Sequence, residues 1–220
     1  MLQGATVRFL KDLKKNNNKT WFEKNKSAYL DAKEDIDQFV QQVIDGLGKI
    51  DADIALLTPR DCVFRIYRDV RFSKDKLPYK TNMGAYFNKG GKKASTAGYY
   101  FHCEPGQNMI GGGLWMPMGP ELNKVRQEVD YSFEEWNKIV GQRNFKKYFP
   151  AGVDGIETLS RPPKGYDADN PAIEFLKMKS FVVRHSLTDA DLQSKSLLKE
   201  VLKTFETMKD FIGFLNRSME

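Results

Sequence analysis

Apolar positions in the first third of the chain recur at helical spacing. Val7, Leu10 and Leu13 form a short stripe, which Asn16, Asn17 and Asn18 interrupt. Phe22, Tyr29, Ile36 and Val43 then repeat every seven residues, with Val40 and Leu47 four beyond the last two. That seam predicts a long helix from about Thr20 to Leu47, with Gly46 and Gly48 as its stop signals.

The middle of the chain changes period from helical to alternating. Cys62 to Tyr67 is β-branched and aromatic and reads as a strand, with Asn82 to Asn88 a second. Gly98 to Glu104 alternates cleanly. Tyr99, Phe101 and Cys103 point one way, and Tyr100, His102 and Glu104 the other. Met109 to Met116 is the expected partner strand, flexible or bulged at Gly111, Gly112 and Gly113. Helices return after Pro120, first with Leu122, Val125 and Val129. Ser132 and Glu135 then form a candidate capping box ahead of Trp136. A rigid loop at Arg161–Gly165 and a short helix from Asn170 to about Lys179 precede a strand at Phe181–His185. Thr188 with Asp191 is the expected cap of the last helix, which carries Leu198, Val201, Leu202, Phe205, Met208 and Ile212. Helices flank the strands rather than alternate with them. The expectation is therefore α+β, with a mostly antiparallel or mixed sheet, a long N-terminal helix and a long C-terminal helix.

Composition narrows the class. At 220 residues, with 40% hydrophobic and 12% aromatic positions, the chain suits one globular domain spanning residues 1–220. No apolar run approaches the ~20 residues of a membrane span. Met1 to Leu13 carries Arg8, Lys11 and Asp12 and does not read as a secretory signal. Cys62 and Cys103 are too few for a disulfide scaffold. The expected location is cytoplasmic, with both thiols reduced.

Charge position says more than charge total. The chain has 35 basic and 29 acidic side chains, a net +6. Ten bases and three acids fall between Arg60 and Lys93, so this segment holds +7 and the remainder −1. If Phe64 to Phe72 is extended, Arg68 shares a face with Phe64, Ile66, Val70 and Phe72, while Arg65, Tyr67, Asp69 and Arg71 share the other. A guanidinium on an apolar face needs a carboxylate, carbonyl oxygens or an anionic ligand, and its planar fork suits a bidentate grip. Two readings are open. One is a structural network in which Asp69 and Asp75 neutralise their neighbours on a solvated edge strand. The other is a site for an anion.

The basic segment also carries a resemblance. Phe9-Leu10, Asn16-Asn17 and Trp21-Phe22 precede it; Gly112-Gly113-Leu114-Trp115 and Arg161-Pro162-Pro163-Lys164-Gly165-Tyr166 come after it. Together with Phe64–Lys80, these marks make nearly the whole chain resemble the mainly bacterial conserved hypothetical proteins catalogued as domain of unknown function 2461. The resemblance implies an α+β domain and transfers no catalytic residue.

Other candidate chemistry is sparser. Gly111-Gly112-Gly113 lacks the Gly-Lys-Ser/Thr ending of a phosphate-binding loop. His102, His185, Cys62 and Cys103 lack metal-site spacing, so no metal and no cofactor is expected. His102 beside Glu104 is the candidate acid/base pair, against a plain polar sheet face. The resulting expectation is a small anionic ligand, bearing phosphate or carboxylate, in a basic aromatic-edged pocket. Arg65, Arg68, Arg71, Lys76 and Lys80 would supply charge, and Tyr67 and Tyr79 would stack or hydrogen-bond. The alternative is an open nucleic-acid or acidic-protein surface on the same residues.

Overall fold

A computed structural model describes residues 1–219 of the chain. The N-terminal region is helical, as the seam requires. Helix α1 (Gly4–Lys15) buries Val7, Phe9, Leu10 and Leu13. A carboxylate from outside the helix satisfies donors of its first turn: Asp35 accepts from Gln3 N at 2.9 Å and from Thr6 Oγ1 at 2.5 Å. The single long helix expected next is two, α2 (Lys19–Lys24) and α3 (Lys26–Leu47), divided at Asn25. Asn25 has φ −109° and ψ 22°, and its side-chain amide donates to the Trp21 carbonyl at 2.9 Å. The side chain thus competes for a carbonyl that a continuous helix would use itself. The seam is buried along both pieces: Phe22, Ile36 and Val43 are at most 1% exposed. Phe39 of α3 meets Phe101 with ring centroids 5.1 Å apart.

Helix α4 (Pro59–Cys62) holds a capping box between Thr58 and Asp61. Four strands come next, β1 (Met83–Phe87), β2 (Gly98–Cys103), β3 (Met109–Leu114) and β4 (Phe181–Ser186). They form an antiparallel sheet in the order β1-β2-β3-β4, so the fold is α+β. The remaining helices are α5 (Gly119–Tyr131), α6 (Phe133–Gly141), α7 (Arg143–Tyr148), α8 (Ile173–Leu176), α9 (Asp189–Leu192) and α10 (Leu197–Arg217). Among the described residues, none of the helices is long and apolar enough to cross a membrane.

Contacts gather the chain into two compact units. The first comprises Met1–Lys92, Tyr100–Ile110 and Ser186–Lys203. Its α9 takes the Thr188–Asp191 capping box that the sequence offers to the last helix, which begins only at Leu197. Asp189 of this short helix accepts from Gly106 N and from Asn108 Nδ2, each at 2.8 Å, and pairs with Lys11 at 2.8 Å. These donors, led by Lys11, hold its carboxyl down at about 2.

The second unit comprises Lys93–Tyr99, Gly111–His185 and Thr204 onward. Trp136 of α6 is its centre, with Phe175, Phe181, Phe211 and Phe214 within 5.9 Å, centroid to centroid. The Ser132–Glu135 capping box does not form. Ser132 ends α5 as well as starting α6, with φ −108° and ψ 37° rather than extended backbone. Its hydroxyl turns to Glu128 at 3.1 Å, and Glu135 joins Glu128 in gripping Arg217 at 2.8 Å.

The glycine run of β3 is explained by close packing. A Cβ on Gly112 would collide with Met208 Sδ of α10, and one on Gly113, at φ +125°, with the Phe181 carbonyl of β4. Gly113→Ala should therefore lower the unfolding free energy by about 2–4 kcal/mol, since strain and overlap add. Gly106→Ala, at φ +83° with nothing within 4 Å, should lose only about 1 kcal/mol. Urea denaturation of the two variants checks the contrast.

Candidate functional site

The basic segment is not the strand its sequence predicts. Cys62 closes α4, and only two antiparallel bridges tie down the residues after it, Val63 to Ala85 and Tyr67 to Tyr79. Between them Phe64 N donates to Gly84 O at 3.0 Å and Lys80 N to Ile66 O at 2.8 Å. Beyond Tyr67 the apolar face dissolves: Ile66 is 3% exposed but Phe72 is 96% exposed. Short-range ion pairs organise the tip instead. Arg68 reaches Asp75 through one nitrogen, Nη1 to Oδ2 at 2.5 Å, rather than through the fork expected of it. The bidentate grip belongs to Arg71, whose Nε and Nη2 lie 3.0 and 2.7 Å from the two oxygens of Asp69. Lys76 donates to the Val70 carbonyl at 3.0 Å.

The two tyrosines pack on Phe22 rather than edging a pocket rim. Tyr79 is buried and stacks on that ring at 3.9 Å, while the more exposed Tyr67 meets it edge-on at 5.9 Å. Asn17 holds Tyr79 in place. It accepts from Tyr79 N at 3.1 Å and donates to Tyr79 O at 2.9 Å, as a neighbouring strand would. In the sequence Asn17 reads as a helix breaker and as one mark of the family resemblance, with no sign of this contact.

Arg65 and Lys80 remain. Neither side chain makes a hydrogen bond or ion pair among the described residues. The Lys80 ammonium sits over the Phe64 ring, 5.1 Å from its centroid. Burial depresses its pKa, and the positive charge of Arg65 depresses it further.

Past the Phe64 ring, which the Lys80 ammonium covers, the alternation of β2 builds a chain of hydrogen bonds. Tyr100 Oη lies 2.8 Å from His102 Nδ1, and His102 Nε2 lies 3.3 Å from Glu104 Oε2. The other Glu104 oxygen accepts from Thr81 Oγ1 at 2.8 Å and from Lys14 Nζ at 3.3 Å. His102 and Glu104 side chains are each 12% exposed, far from the solvated sheet face that alternation alone would suggest. Phe64 packs edge-on against Tyr100 at 6.4 Å. Gly84 makes room for the phenol, because a Cβ there would lie 2.7 Å from Oη.

Electrostatics assign the protons. Burial opposes ionisation of Glu104, but hydrogen bonds from Thr81, His102 and Lys14 outweigh it and hold the carboxyl below its usual range. A carboxylate facing Nε2 requires a proton on Nε2, so Nδ1 is the acceptor and the Tyr100 hydroxyl the donor. Burial lowers the His102 pKa against a partial opposing pull from Glu104, which keeps the ring neutral. Burial, reinforced by Glu104, pushes the Tyr100 phenol up to about 12. The two thiols are inert by comparison, since burial raises both Cys62 and Cys103 to about 12. His185 lies elsewhere, its Nδ1 3.0 Å from the Tyr148 carbonyl oxygen.

His102 and Glu104 are thus brought together as the sequence suggests, and Tyr100, Thr81, Lys14 and Gly84 join them. The alternation around His102 signals Tyr100. Nothing local signals the other three.

The lowered His102 pKa has a sign that can be tested. Below pH ~6.5 the unfolded chain takes up the His102 proton before the folded one does. Stability should therefore fall as pH drops from about 6.5 through the depressed folded value, and should not depend on this group above that. Denaturation midpoints between pH 5 and 7.5 should show a slope that His102→Gln flattens.

No curated protein and no solved structure matches the chain. A family model described as Conserved hypothetical protein (DUF2461) matches residues 5–214, a span containing the basic segment and every member of the hydrogen-bonded chain. The chain belongs to the DUF2461 family of conserved hypothetical proteins.

Proposed function

We propose that the protein binds a small anionic ligand, carrying a phosphate or carboxylate group, at Arg65 and Lys80 beside Tyr100, His102 and Glu104. The observation that carries this reading is the contrast among the cations of one segment. Arg68 and Arg71 are neutralised by Asp75 and Asp69, whereas Arg65 and Lys80 face each other's charge with no carboxylate in contact. Asp69, whose field Arg65 shares, is already held by Arg71. Holding Lys80 partly desolvated against a like charge is unfavourable, and an anion between the two relieves both costs. Phe64 supplies an apolar wall, and Arg65 supplies the fork suited to phosphate or carboxylate.

A polymer-binding surface is less well supported. It needs a row of open cations, and Arg68, Arg71 and Lys76 are engaged by acceptors of their own segment.

Calorimetric titration with inorganic phosphate tests the reading. Saturable binding is expected. Arg65→Gln or Lys80→Met should weaken it at least tenfold, about 1.4 kcal/mol. Arg68→Met and Arg71→Met should leave it unchanged. Absence of saturation, or equal losses in all four variants, overturns the assignment. A single-stranded oligonucleotide that bound with a log–log salt slope of about −3 to −4 would favour the polymer instead.

A further inference from the structure

A half-buried hydroxyl, a neutral imidazole and a fixed carboxylate in series have the arrangement of an activated nucleophile: the attacking group touches its base, and a third group orients the base. Three features set this chain of groups apart from an ordinary polar sheet face. His102 and Glu104 are 12% exposed each, so the contacts persist where water does not compete. Glu104 is pinned from two further directions, by Thr81 ahead of β1 and by Lys14 of α1, so it cannot swing away from Nε2. Glycine at position 84 omits a Cβ that would lie 2.7 Å from the phenolic oxygen.

Resting on the anionic-ligand reading of Arg65 and Lys80, we propose that this is a group-transfer centre for small phosphate esters, with Tyr100 Oη as nucleophile and His102 Nδ1 as its general base. In the first step Oη forms a bond to phosphorus and the bond from phosphorus to the ester oxygen breaks. The phenolic proton passes to Nδ1; the departing alkoxide, in line on the far side of phosphorus, takes its proton from water and leaves as an alcohol, and the hydroxide formed takes up the proton held by His102. In the second step a water molecule attacks the phosphorylated Tyr100 while His102 takes its proton. The phosphorus–Oη bond breaks, inorganic phosphate leaves, and Oη recovers a proton from His102. The sum is hydrolysis, with no change of oxidation state. Glu104 stays ionised throughout and acts as a positioning residue, holding the tautomer and stabilising the imidazolium. A phenol with a pKa near 12 is not ionised at rest, so the base must act during attack.

A reagent that needs no knowledge of the natural ester tests the centre. 4-(Fluorosulfonyl)benzoate carries an anion for Arg65 and Lys80 and an electrophilic sulfur: Oη bonds to sulfur, fluoride leaves and the proton goes to His102. The charged and titratable groups set against that histidine are Tyr100 and Glu104, with Lys14 reaching it through Glu104. Peptide mass mapping should place the label on Tyr100. Its rate should rise through the titration of His102, below pH ~6.5, and then level off. His102→Gln should slow labelling about a hundredfold, and Glu104→Gln should slow it less while moving the pH profile. Arg71→Met serves as the unaffected control.

No label on Tyr100, or a rate that climbs steadily toward pH 12 and ignores His102→Gln, overturns the proposal. The wild-type pH profile decides this even if a variant fails to fold. Phosphate should protect Tyr100, and the carboxylated reagent should outpace neutral phenylmethanesulfonyl fluoride. Histidine-dependent labelling without protection or preference would overturn the anionic substrate class while retaining Tyr100 as nucleophile.

Discussion

Burial of one face of β2 constrains the polar chemistry on its other face. Tyr99, Phe101 and Cys103 are each at most 1% exposed, Phe101 against Phe39 and Tyr99 against Phe205. A strand has a side-chain period of two, so fixing those three leaves Tyr100, His102 and Glu104 no choice of face. A slip of one residue would place an imidazole and a carboxylate in the core, at a cost of several kcal/mol per unpaired charge. Hydrophobic register therefore sets the order phenol, imidazole, carboxylate, and hydrogen bonding needs only to tighten it.

A carboxylate as shielded as that of Glu104 must be satisfied on both oxygens. Three donors meet it, from β2 itself, from Thr81 and from Lys14. Hydrogen bonds to a charged group contribute about 1.5–3 kcal/mol each, enough to offset its desolvation and to hold the proton on His102 Nε2. The tautomer in turn leaves Nδ1 free to accept from the phenol. Fold stability and the candidate chemistry thus share one group, and the fall in stability expected on acidification comes from the same burial that keeps His102 neutral.

The basic segment obeys a different logic. Its charges are so dense that neighbours in sequence satisfy one another before the fold intervenes: Asp69 takes Arg71 two residues away, and Asp75 takes Arg68 seven away. The backbone around these pairs is irregular rather than extended, Phe72 reaches solvent and the register expected for Arg68 is lost. Arg65 and Lys80 are among the cations left with no acid of their own, and they repel each other. The proposed anion site is built on charge left over after local neutralisation rather than on total charge.

How much of the fold and the site was legible in the sequence depends on the range of the interaction. Periodicity was enough for α1, the seam of α3, the alternation of β2 and the α+β class, because burial of a face is a repeated, nearest-neighbour signal. It also placed His102 and Glu104 on one side of one strand, together with Tyr100. It missed the break at Asn25, the one-turn helix α9 and the loss of the Ser132 cap, where a single side chain chooses between rival partners. Only tertiary structure decided the pairings between elements. It alone brought Lys14 from α1 and Thr81 from ahead of β1 to Glu104, and set Asn17 against the backbone of Tyr79. Those contacts join residues dozens of positions apart, and no local pattern encodes them; they exist because the packed apolar faces carry their polar edges into hydrogen-bonding distance.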